Sequence, residues 1–345
     1  MKTEHLLIYR FSALGDVAML VPVVGALAKQ YPELRITVLS RPWAKAFFES
    51  LAPNVNFMAA DPKKEYQGLH GLNKLYRRLE AKHFTAVADM HDVLRTKYLR
   101  WLFCLNGHKV KHIDKHRSGK RQLARKTNKV IAQQPTSFQN YADVLSRLGY
   151  PIHLDFQSIF PASGGDLSLL PESFRQKPAN ERWIGVAPFA AHKGKIYPIE
   201  KLCEALKIVS QADSHAHFFF FCGGASEHAV IDQLCKELPN SVNASAQLGG
   251  IRNELILMSH LDVMLSMDSG NMHLASMTGC RVVSIWGATH PLAGFMGWNQ
   301  KETDALQVQL NCRPCSVYGN KPCYRGDYAC LNQIKPSTIA QKLLE

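Results

Sequence analysis

Three short segments of the 345-residue sequence carry residue types able to do chemistry together. In Arg10-Phe11-Ser12-Ala13-Leu14-Gly15-Asp16 an apolar run leads through a single-glycine turn to an acid. Asp16 directly precedes an apolar helical pattern. There it can cap the helix by accepting a first-turn N–H bond, or face a substrate and take a proton from its hydroxyl. Met267-Asp268-Ser269-Gly270-Asn271-Met272-His273 follows the run LDVMLS and opens a helix. Ser269 and Gly270 then present backbone N–H groups at a positive helix end, which suits a diphosphate. Gly270 has no Cβ to hold an anion off, and His273, one turn in, can donate to a phosphate oxygen. The plainer reading is a capped helix with a core histidine. His192-Lys193-Gly194-Lys195-Ile196-Tyr197-Pro198 puts two lysines on a strand-to-helix loop, as point charges for an anion or as an ordinary surface pair. Neither G-x-G-x-x-G nor G-x-x-x-x-G-K-[ST] occurs, so a dinucleotide fingerprint and a P-loop are excluded.

A fourth segment is basic: Lys109, Lys111, Lys115, Arg117, Lys120, Arg121, Arg125, Lys126 and Lys129 are opposed only by Asp114, and Arg95, Lys97 and Arg100 extend the run. Residues 109–129 lack Phe, Tyr and Trp, so stacking of nucleic-acid bases is poorly supported. Several phosphates, or an anionic membrane surface, fit better. A nucleic-acid-binding protein without enzymatic activity is the disfavoured reading of this patch. Cysteine supplies the fifth candidate. Nine are present, and Cys312, Cys315, Cys323 and Cys330 are spaced C-x2-C-x7-C-x6-C. Four thiolates can hold a structural zinc ion tetrahedrally, although this spacing matches no common finger; the other reading is a thiol-rich loop. Neither is catalytic.

Positioning such residues takes strands and helices in alternation. Strand-like runs at 6–10, 35–39, 55–59, 85–89 and 110–113 alternate with helical ones at 17–30, 43–51, 69–82 and 93–104. After a Pro-, Gly- and Ser-rich stretch at 161–182 the alternation restarts, with strands at 183–187, 217–222, 261–266 and 281–286 and helices at 199–211, 227–238 and 272–278. This predicts an α/β protein of two Rossmann-like domains with parallel sheets: 1–160, a linker at 161–182, and 183–335. A final helix at 336–345 is expected to pack back on the first domain. Ligands in such sheets bind beyond the carboxyl ends of the strands, so a cleft between the halves is the default site.

Charge and hydropathy narrow the class. The net charge is +13, and residues 1–150 hold 25 Lys/Arg against 11 Asp/Glu, while 151–345 hold 16 against 17. An excess carried by one half points to an anionic partner for that half. The longest apolar stretch, 17–28, is 12 residues broken by Pro22 and Gly25, well short of the roughly 20 that span a bilayer. No secretory pattern opens the chain, so a cytoplasmic protein is expected.

Taken together, RFSALGDV at 10–17, HKGKIYP at 192–198, MDSGNMHLASMTGCRVVSIWGATHP at 267–291 and the Cys-rich tail resemble glycosyltransferase family 9, the lipopolysaccharide heptosyltransferases. The resemblance spans nearly the whole chain, loosely over 40–150. It implies a GT-B fold, with the acceptor on the first domain and the nucleotide sugar on the second. It implies inverting, metal-independent transfer of a heptose from ADP-heptose to an anionic lipid A–core acceptor, with no cofactor required. An alternative within the family is another nucleotide sugar or another acceptor. Carried over by position, Asp16 corresponds to the general base and Lys195 to the lysine that steadies the leaving diphosphate, with Lys193 able to substitute. Asp268, Ser269, Gly270 and His273 would hold the diphosphate, and Glu227 the ribose hydroxyls. Arg10, Ser12, Arg95, Lys115, Arg117, Lys120, Arg121 and Arg125 would face the acceptor. Peripheral contact with the cytoplasmic face of the inner membrane is expected, and no nucleic acid. The family often has Trp where Tyr197 stands and Thr where Ser269 stands.

Overall fold

A computed structural model describes residues 4–345, which form two compact units. Among the described residues the first comprises 4–115 and 136–159. Its elements are β1 (His5–Tyr9), α1 (Leu14–Ala18), α2 (Leu20–Gln30), β2 (Arg35–Ser40), α3 (Lys45–Phe48), β3 (Val55–Ala59), α4 (Gly68–Glu80), β4 (Ala86–Asp89), α5 (Leu94–Leu105) and β5 (Lys109–His112). After α6 (Arg117–Leu123), which belongs to the other unit, α7 (Ser137–Leu148) completes it. The five strands pair in parallel in the order β3-β2-β1-β4-β5. β1 and β4 are wholly buried, as expected of strands covered by helices on both faces. Strand order reverses between β1 and β4, and the loops after those strands flank the place where open α/β sheets bind ligands.

The second unit comprises residues 116–135 and 160–345. It contains β6 (Arg182–Ala187), α8 (Ile199–Ala212), β7 (Ala216–Phe220), α9 (Ala225–Glu237), β8 (Ser241–Asn243), α10 (Ala244–Leu248), α11 (Ile251–Met258), β9 (Val263–Met267), α12 (Gly270–Met277), β10 (Val282–Ile285), β11 (Ala305–Leu306), α13 (Ala329–Asn332) and α14 (Pro336–Leu344). The parallel order is β11-β10-β9-β6-β7-β8, so the reversal falls between β6 and β9.

Two unit assignments differ from the sequence reading. The helix at 336–344 belongs to the second unit. Its apolar residues Ile339, Ala340 and Leu343 join Leu202 and Leu206 of α8 in the second unit's core, and Arg182 Nη1 donates to the Leu344 carbonyl at 2.9 Å. The basic segment 116–135 also belongs to the second unit: the Gln134 N–H donates to the Leu292 carbonyl at 2.9 Å and Lys129 Nζ to the Cys312 carbonyl at 3.0 Å. Regrouped over the described residues, the first unit holds 18 Lys/Arg against 12 Asp/Glu (+6) and the second 22 against 16 (+6). The charge asymmetry along the chain is therefore absent between the folded units. The stretch 161–182 is no loose tether either, because Leu170 and Phe174 are buried and Phe174 lies 6.0 Å from the Phe219 ring.

The zinc expectation is also corrected. Among the described residues no cluster of three or more His, Cys, Asp or Glu side chains could hold a metal. Cys330 lies on α13 and is buried in the second unit's apolar core. Arg313 organises this loop instead. Buried, it donates to the carbonyls of Gly287 (2.6 Å), Val308 (2.6 Å) and Thr289 (2.9 Å) and to Gln307 Oε1 (3.0 Å). Arg313→Met strands these acceptors and should cost about 3 kcal/mol or more in urea unfolding. A loss under about 1 kcal/mol would show that the loop relaxes around the gap.

Candidate functional site

In the first unit the β1–α1 turn carries the acid. Ala13 is the N-cap of α1, and Asp16 sits at its third position, inside the helix rather than before it. Asp16 Oδ2 accepts the Ala13 N–H at 3.1 Å and pairs with Arg10 Nη2 at 2.6 Å. Capping and exposure thus coexist: the Asp16 side chain is 31% accessible, whereas that of Arg10 is 6%. Arg10 Nη1 also donates to the Met90 carbonyl, and its guanidinium lies 5.7 Å from the Tyr141 ring. Burial opposes the Arg10 charge, but Asp16, with Tyr141 and Asp89, more than offsets this and raises its pKa. The Tyr141 hydroxyl donates to the Asp16 carbonyl at 3.0 Å, tying α7 to the turn.

The loop after β4 supplies the second side of this site. His91 Nε2 lies 3.2 Å from Ser12 Oγ. Asp89 accepts the N–H groups of His91 and Asp92, each at 2.9 Å, and pairs with Arg100 at 3.1 Å. Burial still pushes the Asp89 carboxyl up. Burial, and then the charges of Arg10 and Lys115, push His91 down to about 3. His91 is therefore neutral at working pH. An unfolded histidine titrates near 6.5, so the unfolded chain binds the extra proton between about pH 6.5 and 3, and folding stability falls as pH drops through that window. Urea unfolding at pH 5 should read about 2 kcal/mol less from His91 than at pH 7. His91→Gln should remove that share of the slope; an unchanged slope would assign it elsewhere.

In the second unit the turn expected to hold a phosphate follows β9. Ser269 is the N-cap of α12 but makes no side-chain cap bond; its Oγ lies 3.3 Å from Ser266 Oγ. Ser269 and Gly270 are half-exposed and His273 is buried. The loop after β6 delivers the cation. Lys195 Nζ pairs with Asp268 Oδ2 at 2.9 Å, and Thr289 Oγ1 donates to the same oxygen at 2.7 Å. Two close approaches fix this loop. The Ala288 N–H donates to the Gly194 carbonyl at 2.8 Å, and a Cβ on Gly287 would come within 2.5 Å of that oxygen. Gly319, at φ +77°, lets its backbone pass beside the Lys195 stem. The two lysines part here, because Lys193 Nζ lies 5.3 Å from the Tyr328 ring centroid. Tyr197 is fully buried and its hydroxyl donates to the Ile334 carbonyl at 2.8 Å. Beyond β7, Glu227 Oε2 accepts the Gly223 N–H at 2.8 Å. β9, β6 and β7 are neighbours, so these three loops share one edge of the sheet.

The proposed acceptor cations are divided between the two units. Arg10 is buried and paired, Arg95 stands exposed on α5, and Lys115 Nζ approaches the Asp92 carbonyl at 3.5 Å. Arg117, Arg121 and Arg125 are exposed on the second unit, and Lys120 is buried, 4.1 Å from the Phe295 ring centroid. Sequence reasoning missed His91, Asp89, Tyr141 and Thr289. The pair Asp89 and His91 was findable, since it closes a predicted strand at the edge where ligands bind; nothing local marks Tyr141.

Two α/β units with parallel sheets, one carrying a partly accessible carboxylate and the other a lysine fixed beside a helix N-terminus, correspond to the GT-B class of glycosyltransferase. Family-wide sequence similarity to glycosyltransferase family 9 (heptosyltransferase) covers residues 72–323, and the chain belongs to that family. It is 23% identical over 298 residues to the lipopolysaccharide core heptosyltransferase OpsX of Haemophilus influenzae, covering 84% of this chain and 80% of that protein. A family 9 glycosyltransferase structure from Veillonella parvula superposes with a TM-score of 0.72 at 18% identity, covering 100% of this chain and 98% of that one. The E. coli ADP-heptose lps heptosyltransferase II does so with a TM-score of 0.67 at 17% identity, covering 99% and 97%. No helix among the described residues is long and apolar enough to cross a membrane.

Proposed function

We propose that the chain transfers a heptose from ADP-heptose to a lipid A–core acceptor, with inversion and without a metal ion. The observation that carries this is Lys195, held 2.9 Å from Asp268 beside the N-terminus of α12, whose N-cap Ser269 makes no side-chain cap bond. A lysine and oriented N–H groups neutralise a leaving diphosphate as charge develops on it. Asp16 takes the proton of the acceptor hydroxyl. The acceptor oxygen bonds to the anomeric carbon from the face opposite the diphosphate, the bond to the diphosphate breaks, and ADP departs with the electron pair. One displacement inverts the anomeric centre. Glu227 binds the ribose hydroxyls, and Arg10 acts through Asp16 by holding its carboxylate. The names of the relatives from H. influenzae and E. coli support the sugar, donor and acceptor chosen.

A thermal-shift panel of ADP, UDP, GDP and their sugars tests the donor. ADP-heptose should give the largest shift; a stronger UDP- or GDP-sugar response would move the chain to another donor. Product formation should persist in excess EDTA, and strict Mg²⁺ dependence would contradict metal-free diphosphate binding.

A further inference from the structure

We infer that His91 is a positioning residue: its ring donates to the Ser12 hydroxyl and so commits that hydroxyl to donate to the acceptor sugar, on an oxygen beside the one Asp16 deprotonates. The inference rests on the role proposed above for Asp16. His91 follows β4 and is 7% exposed. Its Nε2 lies 3.2 Å from Ser12 Oγ. Its Nδ1 is buried and has no hydrogen-bond partner among the described residues. A neutral imidazole carries one N–H and one bare lone pair. A proton on Nδ1 would leave a buried N–H with nothing to accept it, and native structures rarely tolerate that. With the proton on Nε2, only a lone pair faces the interior and the N–H is satisfied by Ser12.

The surroundings hold the ring in this state. Asp89 Oδ1 accepts the His91 backbone N–H at 2.9 Å, Arg10 donates to the carbonyl of the preceding Met90, and the Phe11 ring lies 6.2 Å from the imidazole. The charges around it are Arg10 and Asp16 from the β1–α1 turn, Arg95 on α5 and Lys115 after β5. Burial first, and then the three cations against the single acid, keep the ring neutral. The consequence falls on Ser12. Its oxygen already takes the Nε2 proton, so its own O–H turns outward from an exposed residue. The next residue, Ala13, gives its N–H to Asp16 Oδ2 at 3.1 Å, so a hydroxyl donor and a carboxylate acceptor flank one peptide N–H. A serine alone can donate or accept; His91 removes the choice. A fixed donor beside a fixed acceptor recognises two neighbouring oxygens of a sugar in order. One gives its proton to Asp16, and the other takes a hydrogen bond from Ser12.

Two measurements test this. Nitrogen-15 NMR of the full chain labelled at histidine reads the ring without any substrate, with the His91 signals assigned by their loss in His91→Gln. Protonated Nε2 and bare Nδ1 are expected across about pH 5–8. A proton on Nδ1, or a ring that titrates in that range, overturns the inference. Kinetics with the acceptor varied reads the consequence. Ser12→Ala and His91→Phe should each raise the acceptor KM about tenfold, as loss of one ground-state hydrogen bond does, with kcat and donor Kd within a few fold. The double variant should be no worse than either single one, because both delete the same contact. His91→Gln, whose amide N–H replaces that of Nε2, should recover most of the loss. Additive losses, an effect of His91→Phe on donor affinity instead, or no rescue by glutamine would leave His91 a brace of the fold and overturn the inference. Should His91→Phe fail to fold, Ser12→Ala on its exposed turn still reads the acceptor KM, and an unchanged KM is equally fatal. A native chain that transfers no heptose would overturn the proposed function, while the spectrum still decides the direction of the hydrogen bond.

Discussion

Replacing Asp16 with asparagine should lower kcat by about 10²–10⁴-fold, the usual worth of a positioned general base, while donor affinity moves by no more than a few fold. The amide keeps the shape of the carboxylate and an oxygen for the Ala13 N–H, so the α1 cap survives. It cannot take a proton. It also leaves Arg10, whose side chain is 6% accessible, without its charge partner at 2.6 Å. Because Asp16 itself is partly solvated, that loss should cost only about 1–2 kcal/mol of stability. Steady-state kinetics with saturating donor, beside a calorimetric Kd for the nucleotide sugar and a urea curve, separates the three effects. Near-normal turnover in a folded variant would remove Asp16 from the proton-transfer step.

Lys195→Met should lower kcat/KM by about 10²–10³-fold, the cost of losing one preorganised donor to developing charge. Lys193→Met should change it by no more than a few fold. The two residues are one turn-residue apart in sequence, yet only Lys195 is held by Asp268 next to α12, whereas Lys193 rests over Tyr328. Lys195→Met also leaves the Asp268 carboxylate, buried at 4% exposure, with the Thr289 hydroxyl but no cation. Lys195→Met with Asp268→Asn therefore serves as the control. It should recover much of any lost stability and none of the activity. If Lys193→Met proves the more damaging change, the assignment of the two lysines is reversed.

Much of this was legible along the chain. The strand expected at 55–59 is β3 residue for residue, because alternating and β-branched runs bounded by turns report on their own few neighbours. The turn after β9 was legible for the same reason, since a small-residue break between an apolar strand and a helix is local information. The helix expected at 17–30 is instead two, α1 and α2, broken at Met19; starting it at Val17 put Asp16 in a loop, where only capping or catalysis seemed open. Its actual place in the first turn lets it accept the Ala13 N–H and still stay partly accessible. α7 went unread although Thr136 and Gln139 form a reciprocal capping box.

By itself the sequence determined the alternation of strands and helices, the pair of α/β units, and the local turns that carry Asp16, Lys195 and Ser269. Each of these follows from propensities and spacings within a few residues. Tertiary structure alone decided which lysine is held by Asp268, that Tyr141 braces Asp16 from 125 residues away, and that residues 116–135 take their six cations to the other unit. Those outcomes depend on which distant surfaces exclude water together. Burial is a property of contacts between segments, and summing charge along a chain says nothing of where folding will put it.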